Sequence, residues 1–313
     1  MAILDRAKAI GGLLGKGLGV VMSFQRKVEK SQRKFHQSVQ SWQDGLRVAR
    51  SISRDLLTSM RLGNSVERVA DFHNAERPIL LLYGFGSTRR TLRIMELRLR
   101  RRLDRCVFSL NLGGYRDTLN TSGIINLAKL VDEKVETICR RYDIQDIDIV
   151  AHSKGGLIAR YYVKRLNGAR RVRHLVTLGT PHRGTWVATA ALPALGWWAR
   201  SLWQMTPISP FIRDLQKGPW PAGVRFTSIA STADWLAPPF RARIELLPGE
   251  PTRNISVDHV AHNAMLYSKE VFEHVVVALA EELLPTPDTD ETGKEDGTEL
   301  PPTPAKPAEE EAA

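Results

Sequence analysis

The chain has 313 residues and a mass of 35.1 kDa, which suits one large domain or two small ones. Hydrophobic residues make up 42% and charged residues 25%, and these proportions exclude collagen-like, coiled-coil and wholly disordered chains. The net charge of +11 predicts attraction to nucleic acid, anionic lipid or an acidic partner, with a merely solvated basic surface as the alternative.

Residues 1–76 form a basic first region with 13 Lys or Arg, seven Asp or Glu and no proline. Apolar residues at helical spacing predict a helical extension that packs on the body or on a membrane. The apolar stretch near its start is interrupted by Lys16, so it falls short of the roughly 20 residues that span a bilayer. No convincing signal-peptide cleavage site follows. We therefore expect a cytoplasmic protein with peripheral contact to the inner membrane surface.

Residues 77–284 contain the pattern of a folded domain. Short β-rich runs alternate with helical stretches, and the runs are continuously apolar rather than alternating. This pattern is typical of a mostly parallel sheet with helices on both faces, and therefore of an α/β fold. The predicted strands are PILLLYGF, CVFSLNL, IDIVAHS, HLVTLGT and VRFTSIAS.

The first helix of this domain is predicted within residues 87–105, which hold eight arginines. These side chains suit phosphate head groups, although solvation or ion pairs with an acidic segment are equally expected. No nucleic-acid reading motif accompanies them, so nucleic acid is not an expected partner. Residues 285–313 carry nine Asp or Glu against two Lys and contain no aromatic residue, which predicts a disordered, acidic, Pro-rich tail.

The sharpest chemical signal is AHSKGG at residues 151–156, where an apolar strand run meets a helical stretch. A serine at such a turn, with small residues two positions before and after it, is typical of a nucleophile elbow. Here the serine is Ser153, and the small residues are Ala151 and Gly155. The alternative is a helix start capped by a serine. His152 lies beside the nucleophile in the sequence and is expected to point elsewhere on the turn.

The other parts of a serine-nucleophile site follow in chain order. The oxyanion donors are predicted to be the backbone N–H groups of Phe85, in the loop YGFG, and of Lys154. Asp234 follows an apolar strand and is the predicted acid, and His262 is the predicted general base. Asp258 and His259 are the rival acid and base.

These motifs together resemble the α/β-hydrolase superfamily, in particular its bacterial lipase and esterase branch. The resemblance covers residues 77–284 and rests on YGFG, AHSKGG, TLGTPHRGT, STADWLAPP and VAHNAMLYS. It implies a serine nucleophile at Ser153, an acid at Asp234 and a base at His262. Many relatives have a hydrophobic residue where Lys154 stands, a departure expected to change the substrate entrance.

Residues 186–222 resemble a helical cap or lid insertion. Trp186, Trp197, Trp198 and Trp203 are predicted to bind an apolar acyl group, with a cap core built from tryptophans as the alternative. The expected activity is serine carboxylester hydrolysis of acyl or lipid esters, without a metal or organic cofactor. Acyl transfer on the same fold, or a catalytically silent membrane or interaction module, remain open.

Overall fold

The computed structural model describes residues 71–73, 75–112, 120–196 and 199–281. The predicted helical extension, apart from its last few residues, and the predicted acidic tail lie outside these ranges. Trp197 and Trp198 also lie outside them. The boundaries of the extension and of the tail therefore stay predictions.

Six parallel strands form one sheet in the order β2-β1-β3-β4-β5-β6 within the described residues. The central strands are buried along their whole length, which explains their continuously apolar sequences. The strands are β1 (Ile79–Leu82), β2 (Val107–Ser109), β3 (Ile147–His152), β4 (Val172–Leu178), β5 (Arg225–Ser231) and β6 (Thr252–Val257). The predicted mostly parallel sheet is confirmed. Strand β6 was not predicted, because this edge strand is mostly half-buried and its sequence is polar.

The helices pack against the sheet in two groups, α2 (Ile124–Tyr142) with α3 (Lys154–Arg165) and α1 (Arg93–Leu103) with α9 (Lys269–Ala280). The sequence of α2 explains its packing, because its apolar residues recur every three or four positions and form its buried face. The helices are α1 (Arg93–Leu103), α2 (Ile124–Tyr142), α3 (Lys154–Arg165), α4 (Gly168–Arg171), α5 (Trp186–Leu195), α6 (Arg200–Met205), α7 (Pro210–Gln216), α8 (Pro239–Ala242) and α9 (Lys269–Ala280). Two 3-10 helices span Arg89–Leu92 and Asn263–Leu266.

Helices α5, α6 and α7 lie between β4 and β5, in the segment predicted as a cap. Their role as a lid stays a prediction. None of the helices in the described ranges is long and apolar enough to cross a membrane. Cys106 and Cys139 are free thiols.

Several arginines of the Arg-rich segment make contacts within the domain. Arg98 donates to the carbonyl of Tyr267, and Arg100 pairs with Glu96. Arg105 pairs with the buried Asp148 of β3. Burial alone would raise the pKa of Asp148, but the hydrogen bond from His174 and the charge of Arg105 outweigh it and lower that pKa. These arginines therefore tie α1 and β2 to the neighbouring elements.

Candidate active site

Ser153 sits in a strained turn directly after β3. Its backbone has φ 55° and ψ −126°, a conformation that is rare for a residue with a side chain. Its N–H donates to the carbonyl of Leu178 at 2.9 Å, which joins the turn to the end of β4. A Cβ on Gly155 would lie 2.6 Å from the carbonyl oxygen of Leu82, so only glycine fits there. The geometry is that of the predicted strand–turn–helix element.

The loop after β1 lies directly against this serine. A Cβ on Gly84 would come within 2.8 Å of the Cβ of Ser153. The side-chain amide of Asn120 donates to the carbonyls of Tyr83 and Gly84, at 3.2 and 3.1 Å. The N–H and C=O of a trans peptide point in opposite directions, and no cis peptide occurs in the described residues. The N–H of Phe85 therefore points away from Asn120.

Asp234 and His262 form a buried pair. His262 Nδ1 lies 2.7 Å from Asp234 Oδ2, and both side chains are almost wholly buried. The other oxygen, Oδ1, accepts from the N–H of Ala237 at 2.9 Å. Gly179 makes room for the pair, since a Cβ there would lie 2.6 Å from Asp234 Oδ2. Because Asp234 contacts Nδ1, the second ring nitrogen, Nε2, lies on the opposite side of the imidazole from the carboxylate.

The rival residues lie elsewhere. His259 is exposed, and Asp258 is exposed and accepts a hydrogen bond from Thr232 Oγ1 at 3.0 Å. Neither residue lines the cavity that contains Ser153 and His262.

That cavity has a volume of about 340 Å³, and Ser153 and His262 both line it. The loop residues Gly84 and Phe85 form another part of its wall. The rest is predominantly apolar and comes largely from α5 and α6. These lining residues include Val187, Ala188, Ala191, Leu195, Leu202 and Met205.

Two of the four tryptophans predicted to bind substrate do not contribute to this wall, and the other two, Trp197 and Trp198, lie outside the described residues. Trp186 and Trp203 are 57% and 56% exposed, and neither lines the cavity. Helical periodicity explains the difference for Trp186: the inner stripe of α5 carries Val187, Ala191 and Leu195. Among the described residues of the cap segment, apolar side chains without an indole ring therefore line the cavity that contains the serine.

The fold agrees with that of known hydrolases. A model of the palmitoyl protein thioesterase family matches residues 78–217. Aspergillus fumigatus lipase B is 19% identical, with a TM-score of 0.58 over 70% of this chain and 56% of that one. A Bacillus licheniformis lipase in its mature form is 15% identical, with a TM-score of 0.52 over 70% of this chain and 96% of that one. The Paleococcus ferrophilus monoacylglycerol lipase is 13% identical, with a TM-score of 0.51 over 68% of this chain and 98% of that one.

The chain has the α/β-hydrolase fold. The fold predicted from the sequence motifs is thus confirmed, and the matches are of the thioesterase, lipase and esterase type. The chain spans only 56% of the length of the Aspergillus lipase. A fold hosts many functions, so the activity has to be argued from the site itself.

Lys154 lies in the interior of the domain. Its backbone begins α3, and its side chain is wholly buried. The sequence had predicted an effect at the substrate entrance instead. Nζ donates to the carbonyls of Asn120 and Ser122 at 2.7 and 3.0 Å, and lies 3.3 Å from the hydroxyl of Ser201. Burial lowers its pKa well below the usual value. The side chain joins the serine turn to the Asn120 loop and to α6.

The orientation predicted for His152 is wrong. Its ring lines the same cavity, and its Nε2 lies 3.1 Å from the backbone carbonyl of His262. Burial and the neighbouring His262 lower the pKa of His152 to about 3, so the ring is neutral near pH 7. The position of His152 next to Ser153 in the sequence could have suggested that it lies near the site. The alternation of side chains along a strand does not reveal its contact with the distant loop of His262.

Metal chemistry finds no ready site in the part of the chain that the structure describes. No group of three or more His, Cys, Asp or Glu side chains there is arranged to hold a metal ion.

Asn120, like the contact of His152 with His262, was missed by the sequence analysis. Its role depends on a tertiary contact with the loop after β1, and no motif marks it.

Proposed function

We propose that the chain is a serine hydrolase that cleaves acyl esters, with Ser153 as nucleophile, His262 as general base and Asp234 as the acid that orients the base. The observation that carries the proposal is the shared cavity. A serine in a strained turn and an imidazole held by a buried carboxylate both line its wall.

The reaction follows from these groups. His262 Nε2 takes the proton of Ser153 as Oγ attacks the carbonyl carbon of the ester. The imidazolium is stabilised by Asp234 and then gives its proton to the leaving alcohol or thiol. Water, deprotonated by His262, then attacks the carbonyl carbon of the acyl-enzyme; the bond to Oγ breaks, the imidazolium returns its proton to Ser153, and the carboxylic acid leaves. The cycle needs no redox partner, and we propose that it needs no cofactor.

The proposed oxyanion donors are the N–H groups of Phe85 and Lys154. Asn120 holds the carbonyl of Gly84, so the N–H of Phe85 points the other way. The N–H of Lys154 belongs to the first turn of α3, where backbone donors have no acceptor within the helix. Loss of one such donor costs about 3 kcal/mol of transition-state stabilisation in hydrolases of this kind.

The cavity supports a substrate with an apolar acyl group, because aliphatic side chains cover much of its wall. The bond is proposed to be a carboxylic ester, as sequence motifs predicted. A thioester is the second candidate, and the match to the palmitoyl protein thioesterase model favours it. Matched oxygen and sulfur esters of one acyl chain would separate the two by their kcat/KM values.

A fluorophosphonate probe tests the central claim. It should label the wild-type chain once and should leave the folded Ser153→Ala variant unlabelled and inactive on p-nitrophenyl esters. Labelling that persists in Ser153→Ala would reject the nucleophile. No labelling of folded wild-type protein would favour a silent interaction module instead. Acyl transfer is distinguished by adding an alcohol and measuring whether ester product replaces free acid.

Peripheral contact with the inner surface of a cytoplasmic membrane, through residues 1–76 and the Arg-rich helix, remains part of the proposal. Deletion of residues 1–76 should weaken liposome association more than turnover of a soluble ester. Equal losses in both measurements would point to a role in folding.

A further inference from the structure

Helix α5 presents an apolar face to solvent. None of its ten residues is charged. Its exposed positions are Trp186, Thr189, Ala190, Pro193, Ala194 and Leu195, and all except Leu195, which also lines the cavity, form an outer stripe at helical spacing. A surface helix usually carries polar and charged residues on its outer side. In α5 the inner stripe lines the active-site cavity, and the outer stripe carries no charged residue and a single polar one, Thr189.

Two further exposed aromatic rings lie beside this helix. Trp235 and Phe240 are 44% and 63% exposed, and with Trp186 they line a depression of about 530 Å³. The guanidinium of Arg241 lies 5.2 Å from the ring centroid of Trp186 and 5.5 Å from that of Phe240. We call Trp186, Trp235, Phe240 and Arg241, with the outer stripe of α5, the aromatic–arginine surface.

This surface adjoins the active site. The depression and the active-site cavity share the wall residues Thr185 and Val187. Whatever covers the surface is therefore next to the bound substrate. Contiguous exposed aromatic residues of this kind mark an interaction site more often than an ordinary solvated surface.

The charge of this part of the chain limits what covers it. Residues 181–243 hold seven Arg or Lys against two Asp. Asp214 is paired with Arg165, Asp234 with His262, and Arg225 with Glu281, so the segment keeps an excess of positive charge. A second copy would bring an equally cationic surface and be repelled. Residues 285–313 are acidic but have no aromatic residue and little apolar surface, so they do not match the rings.

We propose that the aromatic–arginine surface docks on a phospholipid bilayer that contains anionic lipids. Tryptophan and phenylalanine rings partition into the region between head groups and acyl chains, and an arginine among them is attracted by the net negative charge of anionic head groups. Helix α5 is about 15 Å long, half the roughly 30 Å of a hydrocarbon core, so it lies in the plane of the interface and does not cross it.

The test is a vesicle co-sedimentation experiment on the full chain. All proteins carry Ser153→Ala, so that hydrolysis cannot alter the lipid and the result does not depend on the proposed function. Vesicles of phosphatidylcholine alone are compared with vesicles of phosphatidylcholine and phosphatidylserine. The variants are Trp186→Ser with Phe240→Ser, and Arg241→Gln. The matched controls are Val277→Ser, at a side chain 56% exposed on α9, and Arg140→Gln, at an exposed arginine of α2.

The double aromatic variant should bind both kinds of vesicle about tenfold more weakly, because two rings lose their apolar contact. Arg241→Gln should bind the phosphatidylserine vesicles about fivefold more weakly and should change binding to phosphatidylcholine little. Both controls should bind like the parent, and all variants should keep its thermal unfolding midpoint.

Unchanged binding of the double variant would overturn the proposal, and so would a parent that binds neither kind of vesicle. A change of oligomeric state in the double variant, without a change in vesicle binding, would overturn it in favour of a second copy. Failure here is separate from failure of the fluorophosphonate test, since each uses its own readout.

Discussion

The ring of His152 and the backbone of His262 are joined by a hydrogen bond, with Nε2 of His152 3.1 Å from the carbonyl oxygen of His262. A carbonyl only accepts, so Nε2 of His152 carries the proton. The last residue of β3 thus holds the loop of the proposed base, 110 positions further along the chain. One side chain therefore connects the end of β3, directly before Ser153, to the loop of the proposed base.

Replacing His152 should therefore affect catalysis without removing a proposed catalytic group. His152→Leu loses the donor and should lower kcat/KM for p-nitrophenyl butyrate about a hundredfold, since small displacements of the base are costly. His152→Gln retains an N–H donor of similar reach and should stay within a few-fold of the parent. Equal activity of the two variants would contradict a positioning role.

The same histidine should make the fold sensitive to acid. The pKa of His152 is about 3 in the folded chain and near 6.5 when unfolded, so the unfolded state binds the extra proton between these values. Stability is therefore fully present above pH 6.5 and falls as the pH drops towards 3. Urea midpoints measured from pH 7 to pH 4 should fall more steeply in the parent than in His152→Gln. Parallel curves would refute this cause.

His262 and its neighbour His259 offer a direct comparison of the proposed base with its rival. His262→Ala should lower kcat by about a thousandfold, which is typical for loss of a general base. His259→Ala should stay within about twofold of the parent, because His259 is exposed and does not line the cavity. Steady-state hydrolysis of p-nitrophenyl esters measures both, and the opposite ranking would move the base to His259.

Lys154→Met should reduce kcat more than it changes KM. The lysine holds the carbonyl of Asn120, and Asn120 holds the loop that carries Phe85, so both proposed oxyanion donors depend on this residue. Loss of these bonds should also cost about 1–3 kcal/mol of unfolding free energy per unpaired carbonyl.

The control for this variant is Lys164→Met. Lys164 also donates to backbone carbonyls, those of Leu215 and Gly218, but it does not line the cavity. It should lose stability without a comparable fall in kcat. If both variants lose activity in proportion to stability, the link through Asn120 has no catalytic role.

The cavity wall should set the preferred acyl length. Ala191→Phe fills space on the inner stripe of α5 and should shift the best p-nitrophenyl ester towards shorter chains. Ala194→Phe places the same ring on the outer stripe and should leave the profile unchanged. An unshifted profile in Ala191→Phe would mean that the acyl chain lies elsewhere.

Much of the candidate site could be predicted from local sequence. The serine turn was predictable because the strain at Ser153 requires glycine or alanine nearby, and the parallel sheet because its buried strands are continuously apolar. Contacts between distant segments could not be predicted in the same way. The stripe of α5 that faces the serine, the side chain of Lys154 and the contact of His152 with His262 each depend on how distant segments meet. Composition suggested that the tryptophans line the cavity, but helical phase directs Trp186 outward.

Helix α5 contributes residues both to the active-site cavity and to the outer depression. The inner stripe of α5 bounds the active-site cavity, and its outer stripe belongs to the aromatic–arginine surface. Free-energy linkage then applies in both directions: any ligand that shifts α5 from one side changes affinity on the other side by the same factor. We therefore expect occupation of the cavity and occupation of the outer surface to be coupled, with a cooperativity that is measurable from either one.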